Sequence, residues 1–255
     1  MRGTALITGA TSGIGKATAV AFAQKGLDLI LCGRNTEALE TLGQELGKKV
    51  RVHCLVFDVR DKSAVMKAIG EVPREMYPID ILVNNAGNAH GRDPVETADL
   101  EDWDAMVDIN IKGLLYVSHV VIPDMVQRKQ GHIIHIGSLA GKEVYPGGNV
   151  YCASKHAVDA INQGMRMDLH KYGIRVGAVN PGLVKTGFSE VRFKGDKEKA
   201  EEVYRGYAPL QAEDIAEIIT FVISRPAHVN IADLLVLPTA QASSVHISKT
   251  ETGIQ

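Results

Sequence analysis

The regular alternation of short apolar segments with longer amphipathic segments most strongly constrains how this chain can fold. From residue 3 to about residue 180, runs rich in leucine and β-branched residues alternate with segments of helical period. This alternation predicts successive βαβ units, and therefore a parallel sheet with helices on both faces. Several of the apolar runs lack polar alternation, which is typical of strands buried on both faces of a sheet. We therefore predict an α/β fold.

The boundaries of the elements follow from the same pattern. The predicted strands are residues 4–8, 28–32, 50–57, 79–84, 131–136, 174–180 and 234–237. The predicted helices are residues 14–25, 36–46, 62–71, 102–128, 150–172 and 213–224. Gly26, Gly47 and Gly173 directly follow three of these helices, and glycine just past the last helical residue is the usual helix stop.

The domain organisation is simple, because no linker rich in proline, glycine or serine and no internal repeat divides the sequence. We expect residues 1–255 to form a single domain. Residues 182–207 interrupt the alternation between a strand and a helix, where a flap over a ligand could be inserted. The polar tail, residues 243–255, is expected to be either flexible or ordered against a partner subunit.

Composition and charge exclude several classes of function. The 28 basic and 30 acidic side chains leave a formal charge of −2, so no positive field attracts nucleic acid. No unbroken apolar run approaches the roughly 20 residues that a membrane helix needs, and the first strand starts too early for a secretory signal. Cys32, Cys54 and Cys152 are too few and too scattered for a disulfide framework or a thiolate metal site. We therefore expect a reducing, cytoplasmic setting.

A glycine-rich loop joins the first predicted strand to the first predicted helix, which Ile14 opens. Such a turn lets the backbone approach a pyrophosphate, and it directs the N–H groups and the dipole of the helix N-terminus at the negative charge. The residues predicted to contact the pyrophosphate are Gly9, Thr11, Ser12, Gly13, Ile14 and Gly15. The alternative is a plain strand-to-helix turn.

The end of the second strand predicts which dinucleotide is bound. A fold selective for NAD places Asp or Glu there, against the ribose 2′-hydroxyl, whereas this chain has Gly33-Arg34-Asn35. The Arg34 guanidinium can pair with a 2′-phosphate, which favours NADP; a solvated loop arginine is the alternative. Asp58-Val59 and Asn85-Ala86-Gly87 end later strands at the same sheet edge and are predicted to contact the adenine and its ribose.

Three residues are candidates for proton-transfer chemistry. Tyr151 and Lys155 are four apart on a predicted helix, so both side chains project from one face. An ammonium beside a phenol favours the phenolate, which predicts a lowered Tyr151 pKa and a general acid or base. Ser138 follows the fifth strand at the same sheet edge, where its hydroxyl could hold a substrate oxygen. Taken alone, the Tyr151–Lys155 spacing is also that of a surface tyrosine with a helical neighbour.

Taken together, these motifs resemble the short-chain dehydrogenase/reductase family. The matching residues are Thr8, Gly9, Gly13, Gly15, Asn84 to Gly87, Asp108-Ile109-Asn110, Ser138, Tyr151-Cys152-Ala153-Ser154-Lys155, Asn180-Pro181-Gly182, Val184 and Thr186. These residues are distributed in order over nearly the whole chain. The resemblance implies a Rossmann-type, doubly wound parallel sheet of seven strands, and hydride transfer between a nicotinamide and a carbonyl or secondary alcohol.

The resemblance also implies a role for each matching residue. Tyr151 would exchange the proton, Lys155 would lower the pKa of Tyr151 and hold the nicotinamide ribose, and Ser138 would orient the substrate oxygen. Asn110 would anchor a water molecule in the proton relay. The residues implied to enclose the nicotinamide end of NADP are Pro181, Gly182, Val184 and Thr186. No metal is required, and assembly into a homotetramer or a dimer is implied.

The last third of the chain resembles one branch of this family, the NADP-dependent 3-hydroxy acid dehydrogenases. Residues 187–196, 225–231 and 237–241 carry this resemblance. It implies oxidation of serine, allo-threonine, 3-hydroxyisobutyrate and related acids, or reduction of the matching 3-oxo acids. Arg192 is the predicted cation for the substrate carboxylate, with Lys185 and Lys194 behind it. The alternative is that Arg192 forms a surface ion pair or contacts the cofactor.

Two other functions stay open from the sequence. One is a carbonyl or 3-oxoacyl-thioester reductase that uses the same machinery on another substrate. The other is a catalytically silent, NADP-binding regulatory protein. The presence of all four implied catalytic residues, Ser138, Tyr151, Lys155 and Asn110, argues against loss of catalysis.

Overall fold

The computed structural model describes residues 3–250, which form a sheet of seven parallel strands covered by helices on both faces. The strands of this sheet are β1 (Thr4–Thr8), β2 (Asp28–Gly33), β3 (Val52–Val56), β4 (Ile79–Asn84), β5 (Gly131–Ile136), β6 (Ile174–Pro181) and β9 (Asp233–Val236). The short strands β7 (Val184–Lys185) and β8 (Leu210–Gln211) pair separately. The seven predicted strands are therefore confirmed, with ends that differ by at most two residues.

The helices between the strands also follow the predicted pattern. They are α1 (Gly13–Gln24), α2 (Thr36–Leu46), α3 (Lys62–Gly70), α4 (Leu100–Val107), α5 (Leu114–Arg128), α6 (Asn149–Leu169), α7 (Phe188–Arg192), α8 (Lys197–Glu202) and α9 (Ala212–Ile223). The predicted helix 150–172 ends its α-helical part at Leu169 and continues as a 3₁₀ turn over His170–Tyr172. Short 3₁₀ turns also occur at Arg74–Met76 and Leu139–Gly141.

The order of the strands creates a crevice beside β1. Across the sheet the order is β3-β2-β1-β4-β5-β6-β9. The chain runs outward from β1 to β3 and then returns to place β4 on the other side of β1. The connections after β1 and β4 therefore leave on opposite faces of the sheet, which opens a crevice at the carboxyl ends of these strands. Open α/β sheets bind their ligands at this kind of position.

The apolar core is split between the two faces of the sheet. In β2, Leu29 and Leu31 pack on one face, whereas Ile30 packs on the other. Phe22 of α1 belongs to the first core and Val117 of α5 to the second, and both are fully buried. Strands that are apolar on both faces and covered by helices on both sides explain the continuous apolar runs in the sequence.

The predicted helix 102–128 begins earlier and is irregular. It starts at Leu100, and a π-helical turn over Asp108–Gly113 joins α4 to α5. By length and composition alone, the whole segment Leu100–Arg128 could cross a membrane. The sequence analysis did not identify it, because that analysis looked for apolar runs without interruption. Here it packs on the sheet, with Val117, Val121 and Met125 buried in the core.

The predicted flap and the tail contact each other. Residues 182–207 contain β7, α7 and α8 and lead into β8. The N–H of Thr250 donates to the carbonyl of Gly206 at 2.8 Å, and Nζ of Lys249 donates to the carbonyl of Glu202 at 3.4 Å. Lys249 and Thr250 of the tail therefore contact the flap of their own chain. The rest of that tail, residues 251–255, lies outside the described residues.

Candidate active site

A cleft of about 1630 Å³ lies at the carboxyl ends of the central strands. It is lined by the loop after β1, by the residues that follow β3, β4, β5 and β6, by the first turns of α6, and by the flap. Of the predicted site residues, Gly15, Asn35, Asn110 and the weaker substrate candidate Lys185 do not line this cleft, and all the others do. Most of the predicted residues therefore meet at one cleft, whereas Gly15 and Asn110 are buried and Asn35 is exposed at the start of α2.

The glycine-rich loop has the shape that a pyrophosphate requires. Gly9 and Gly13 have φ values of +66° and +49°, which side chains rarely tolerate. A Cβ on Gly15 would overlap the carbonyl oxygen of Gly9 and the amide nitrogen of Asn85, so Gly15 allows the close packing that shapes the loop. In the described part of the chain, no side chain caps the first turn of α1. Its main-chain N–H groups are therefore left for an anion, and the loop fits a dinucleotide.

Asn85 and Ala86 hold this loop against the end of β4. Nδ2 of Asn85 donates to the carbonyls of Thr8 and Gly9 at 2.8 and 3.2 Å. The main-chain N–H groups of Asn85 and Ala86 both donate to the Thr8 hydroxyl at 3.0 Å. The two residues predicted to contact the cofactor therefore also fix the loop that would receive its pyrophosphate.

The end of β2 brings a cation to the cleft, but a carboxylate lies beside it. Arg34 is largely exposed, and its Nη1 lies 3.7 Å from a carboxylate oxygen of Asp58. Asp58 is also bound by Arg60, whose Nη2 lies 2.7 Å from the same oxygen. Asn35 accepts a hydrogen bond from the N–H of Ala38 at 3.0 Å and so caps α2. The cap uses only Oδ1 of Asn35, so the Nδ2 donor and the main chain stay available for the predicted contact with the cofactor.

Ser138, Tyr151 and Lys155 meet at the carboxyl end of β5. Ser138 follows the strand by two residues, and its Oγ accepts from the N–H of Ala140 at 3.1 Å. Tyr151 and Lys155, on the first two turns of α6, are both buried. Nζ of Lys155 donates to the carbonyl of Ile136 at 2.9 Å. The spacing of four residues therefore places both side chains in one cleft, as predicted.

The electrostatics of this cluster differ from the prediction. Burial raises the pKa of Tyr151, with Tyr145 adding to the rise, while the Ser138 hydroxyl and the Arg192 guanidinium oppose it. Burial also lowers the pKa of Lys155 to about 8. The expectation that Lys155 brings the Tyr151 pKa below its ordinary value is therefore wrong for this structure, because the cost of burying a phenolate is larger.

Asn110 stabilises the wall behind the cleft from within the π-helical turn. Its Oδ1 accepts from the N–H of Asn88 at 2.9 Å. Its Nδ2 donates to the carbonyl of Asn88 at 2.8 Å and to the hydroxyl of Ser154 at 3.0 Å. Ser154 in turn donates to the carbonyl of Tyr151 at 2.8 Å. The π turn thus connects the helix pair α4–α5 to the helix that carries Tyr151, and such turns occur often at functional sites.

The flap places Arg192 directly beside Tyr151. The guanidinium carbon lies 5.5 Å from the ring centroids of both Tyr151 and Tyr145. Nη1 donates to the Tyr145 hydroxyl at 3.0 Å, and Nε donates to the carbonyl of Gly91 at 3.2 Å. Nη2 is buried and has no hydrogen-bond partner among residues 3–250. One donor of this half-buried cation is therefore left for a ligand. The weaker candidate Lys194 is paired with Asp99 and Asp102.

The implied nicotinamide end of the site is formed by the segment after β6. Its residues in the cleft include Pro181, Gly182, Val184 and Thr186. The Thr186 hydroxyl accepts from the N–H of Phe188 at 3.2 Å and so begins the flap helix α7. The Phe188 ring lies 5.8 Å from the ring of Tyr151. The flap therefore starts at the cofactor segment and closes over the candidate general base.

Arg60 and Tyr145 are among the cleft residues that the sequence analysis did not name. Arg60 stands two positions after Asp58, within a segment that was recognised, and its positive charge beside a predicted adenine contact was an available signal. Tyr145 lies six positions before Tyr151 and matches no motif. Only the folded chain shows that Tyr145 receives a hydrogen bond from Arg192.

Comparisons with known proteins agree with this geometry. Residues 3–197 match the family described as short chain dehydrogenase. Sulfoacetaldehyde reductase 2 of Chromohalobacter salexigens is 48% identical over 240 residues, covering 94% of this chain and 95% of that protein. The NADP-dependent 3-hydroxy acid dehydrogenase YdfG of Escherichia coli strain K12 is 46% identical over 238 residues, covering 93% and 95%. The closed form of serine dehydrogenase complexed with NADP+ has a TM-score of 0.90 at 43% identity, covering 99% and 98%.

Proposed function

The chain belongs to the short chain dehydrogenase family, and on that premise we propose that it transfers a hydride between NADP(H) and a small 3-hydroxy acid. Substrates of the serine, allo-threonine or 3-hydroxyisobutyrate type fit this proposal, as do the matching 3-oxo acids in the reverse direction. The observation that carries it is the Arg192 guanidinium beside Tyr151, with its buried Nη2 unpartnered among the described residues. Relatives named for 3-hydroxy acids and for serine support it.

The residues of the cleft fit NADP along its whole length. The loop after β1 leaves main-chain N–H groups for the pyrophosphate, and Arg34 supplies a guanidinium for the 2′-phosphate. Asp58, Val59 and Gly87 line the adenosine half. When bound, the nicotinamide supplies the hydride acceptor or donor, which is chemistry that no side chain can provide.

Tyr151 and Ser138 would handle the substrate oxygen. For oxidation, the Ser138 hydroxyl would donate to the alcohol oxygen and the Tyr151 phenolate would accept the alcohol proton, while the hydride leaves the carbon for the bound NADP and a carbonyl forms. For reduction, the Tyr151 hydroxyl returns the proton to the oxygen. Burial keeps Tyr151 protonated, because it raises the pKa of the phenol. The acid form needed for reduction is thus the resting form.

Lys155 and Asn110 would support this proton transfer. Below its pKa of about 8, Lys155 carries a charge that stabilises the phenolate as it forms. Its Nζ is fixed by the carbonyl of Ile136, which leaves further ammonium protons for the nicotinamide ribose. Both N–H groups of the Asn110 amide are used by the protein, so a water molecule in the relay would be held by the oxygens of Asn110.

Arg192 would make the enzyme prefer alcohols that also carry an acid group over neutral alcohols. A carboxylate beside the unpartnered Nη2 would form a charge-assisted hydrogen bond and neutralise a half-buried cation. In a 3-hydroxy acid, one carbon separates the carboxylate from the carbon that gives up the hydride. The substrate can therefore place its acid group at Arg192 and its hydroxyl at the adjacent Tyr151.

A second candidate function is reduction of sulfoacetaldehyde, a substrate with the same spacing between its anionic group and its reacting carbon. Sulfoacetaldehyde also has one carbon between its anionic group and its reacting carbon, and the relative at 48% identity is named for its reduction. A sulfonate accepts the same hydrogen bonds from a guanidinium as a carboxylate does. Reduction of a neutral carbonyl or a 3-oxoacyl thioester is less well supported, because such a substrate has no anion beside its reacting carbon to pair with the half-buried Arg192.

Specificity constants with NADP(H) distinguish these functions. The panel is serine, allo-threonine and 3-hydroxyisobutyrate for oxidation, and sulfoacetaldehyde and an acetoacetyl thioester for reduction. We expect the highest kcat/KM with the hydroxy acids or, for the second candidate, with sulfoacetaldehyde. A preference for the thioester would overturn the assignment of an acid site. Tight NADPH binding without turnover of any substrate would instead favour the silent, regulatory protein.

The setting of the enzyme belongs to the same proposal. We propose a cytoplasmic homotetramer or dimer, with α5 and α6 as contact surfaces. Leu115 on α5 and Met167 on α6 are 38% and 73% exposed, so each helix has an apolar side chain that a partner subunit could cover. Sedimentation of the purified protein as a monomer would contradict this assembly.

A further inference from the structure

Asp58 is bound by Arg60, a residue that belongs to none of the matching family motifs. Nε of Arg60 donates to the two carboxylate oxygens of Asp58 at 3.1 and 3.0 Å, and Nη2 of Arg60 donates at 2.7 Å. The main-chain N–H of Arg60 adds a bond of 2.9 Å. These bonds, with the nearby Arg34, keep the pKa of Asp58 below its usual range against the cost of partial burial. Asp58 is therefore a charged carboxylate in the adenosine half of the cleft.

A bare carboxylate at this place would work against NADP. Asp58 lies 3.7 Å from Arg34, the cation available for a 2′-phosphate. Without another partner, the carboxylate would pair with Arg34, and it would also repel the phosphate directly. The Asp58 side chain is only 26% exposed, so solvent screens this interaction incompletely.

We propose that Arg60 is a positioning residue that makes the site selective for NADP by neutralising Asp58. With Arg60, the three side chains carry a net positive charge, whereas Arg34 and Asp58 alone would be neutral. Arg60 occupies Asp58 and so leaves the guanidinium of Arg34, which is 65% exposed, for the 2′-phosphate. The inference rests on the proposed function only through the cofactor, and it is independent of the substrate.

Equilibrium binding measures this role without catalysis. The fluorescence of bound NADPH and NADH gives the dissociation constant of each, and displacement of NADPH by 2′-AMP or by AMP isolates the phosphate. In Arg60→Gln, we expect the ratio of the NADH to the NADPH dissociation constant to fall by about fivefold, the scale of a partly exposed ion pair. The affinity for NADH should change little.

A double variant separates an indirect role of Arg60 from a direct one. In Arg60→Gln with Asp58→Asn, the carboxylate that needs neutralising is gone, so the ratio should return to the wild-type value. Arg51→Gln is the matched control, because Nε and Nη2 of Arg51 donate to a carboxylate oxygen of Asp28 at 3.0 and 2.6 Å, but Arg51 does not line the cleft. This control should leave the ratio unchanged.

Three other results of these binding measurements would each contradict a different part of the proposal. An unchanged ratio in Arg60→Gln would overturn the role of Arg60. A loss that the double variant does not restore would mean that Arg60 contacts the phosphate itself, which contradicts the indirect role. A wild-type protein that binds NADH as tightly as NADPH would overturn the proposed cofactor together with this inference.

Discussion

Replacing Arg192 by Gln should reduce activity on acids far more than activity on neutral substrates. The guanidinium has one buried nitrogen without a partner among the described residues, next to the ring of Tyr151. A hydrogen bond to a charged group contributes about 1.5–3 kcal/mol, which corresponds to about 10- to 150-fold in kcat/KM. We expect a loss in this range for 3-hydroxyisobutyrate and a loss below about threefold for its methyl ester.

The assay must separate substrate binding from closure of the flap. Arg192 also bonds to Gly91 and Tyr145, so its replacement loosens the flap. Lys194→Gln is the matched control, since it removes flap contacts with Asp99 and Asp102 but no cation beside Tyr151. Initial rates of NADPH formation on acid and ester give the comparison. Equal losses on both substrates would refute the acid clamp.

Three further predictions follow from packing and titration. Gly15→Ala should weaken NADPH binding by more than about tenfold and lower the melting temperature, because its Cβ would overlap Gly9 and Asn85. A binding titration and thermal unfolding measure the two effects, and an unchanged affinity for NADPH would contradict the prediction. The cation of Lys155 is present below its pKa of about 8, so kcat/KM for reduction should fall as the pH rises above that value; a flat profile would contradict the role of Lys155. The pKa of His132 is lowered from 6.5 to about 3 by burial and by Arg175. The stability that neutral His132 contributes above pH 6.5 is therefore lost as the pH falls toward 3, at about 1.4 kcal/mol per pH unit. In His132→Leu, the free energy of unfolding, measured with urea, should therefore fall less between neutral and mildly acidic pH than it does in the wild type. An equal fall in both proteins would contradict this prediction.

Much of this fold could be predicted because its signals are local. Strands such as Ile79–Asn84 are continuous apolar runs between helical segments, and parallel pairing places their carboxyl ends at one edge of the sheet. Ser138, Tyr151 and Lys155 follow from the same reasoning, since a strand end and a helix face fix their positions. The glycine loop is local in the same sense.

The rest could not be predicted because it depends on contacts between distant segments. The hydrogen bond from Arg192 to Tyr145 joins the flap to the loop before α6. The π turn that contains Asn110 lies within the continuous helical segment Leu100–Arg128, most of which the sequence pattern predicts as one regular helix. The raised pKa of Tyr151 reflects burial by several elements, which the four-residue spacing to Lys155 does not reveal.

An isotope measurement tests most directly whether the protein transfers a hydride from a 3-hydroxy acid to NADP. The protein would be incubated with NADP and serine deuterated at C3, and the mass of the reduced cofactor would be determined. We predict that the reduced cofactor carries one deuterium, and that Tyr151→Phe forms it at a greatly reduced rate. Reduced cofactor without deuterium, or none from any 3-hydroxy acid, would contradict the account.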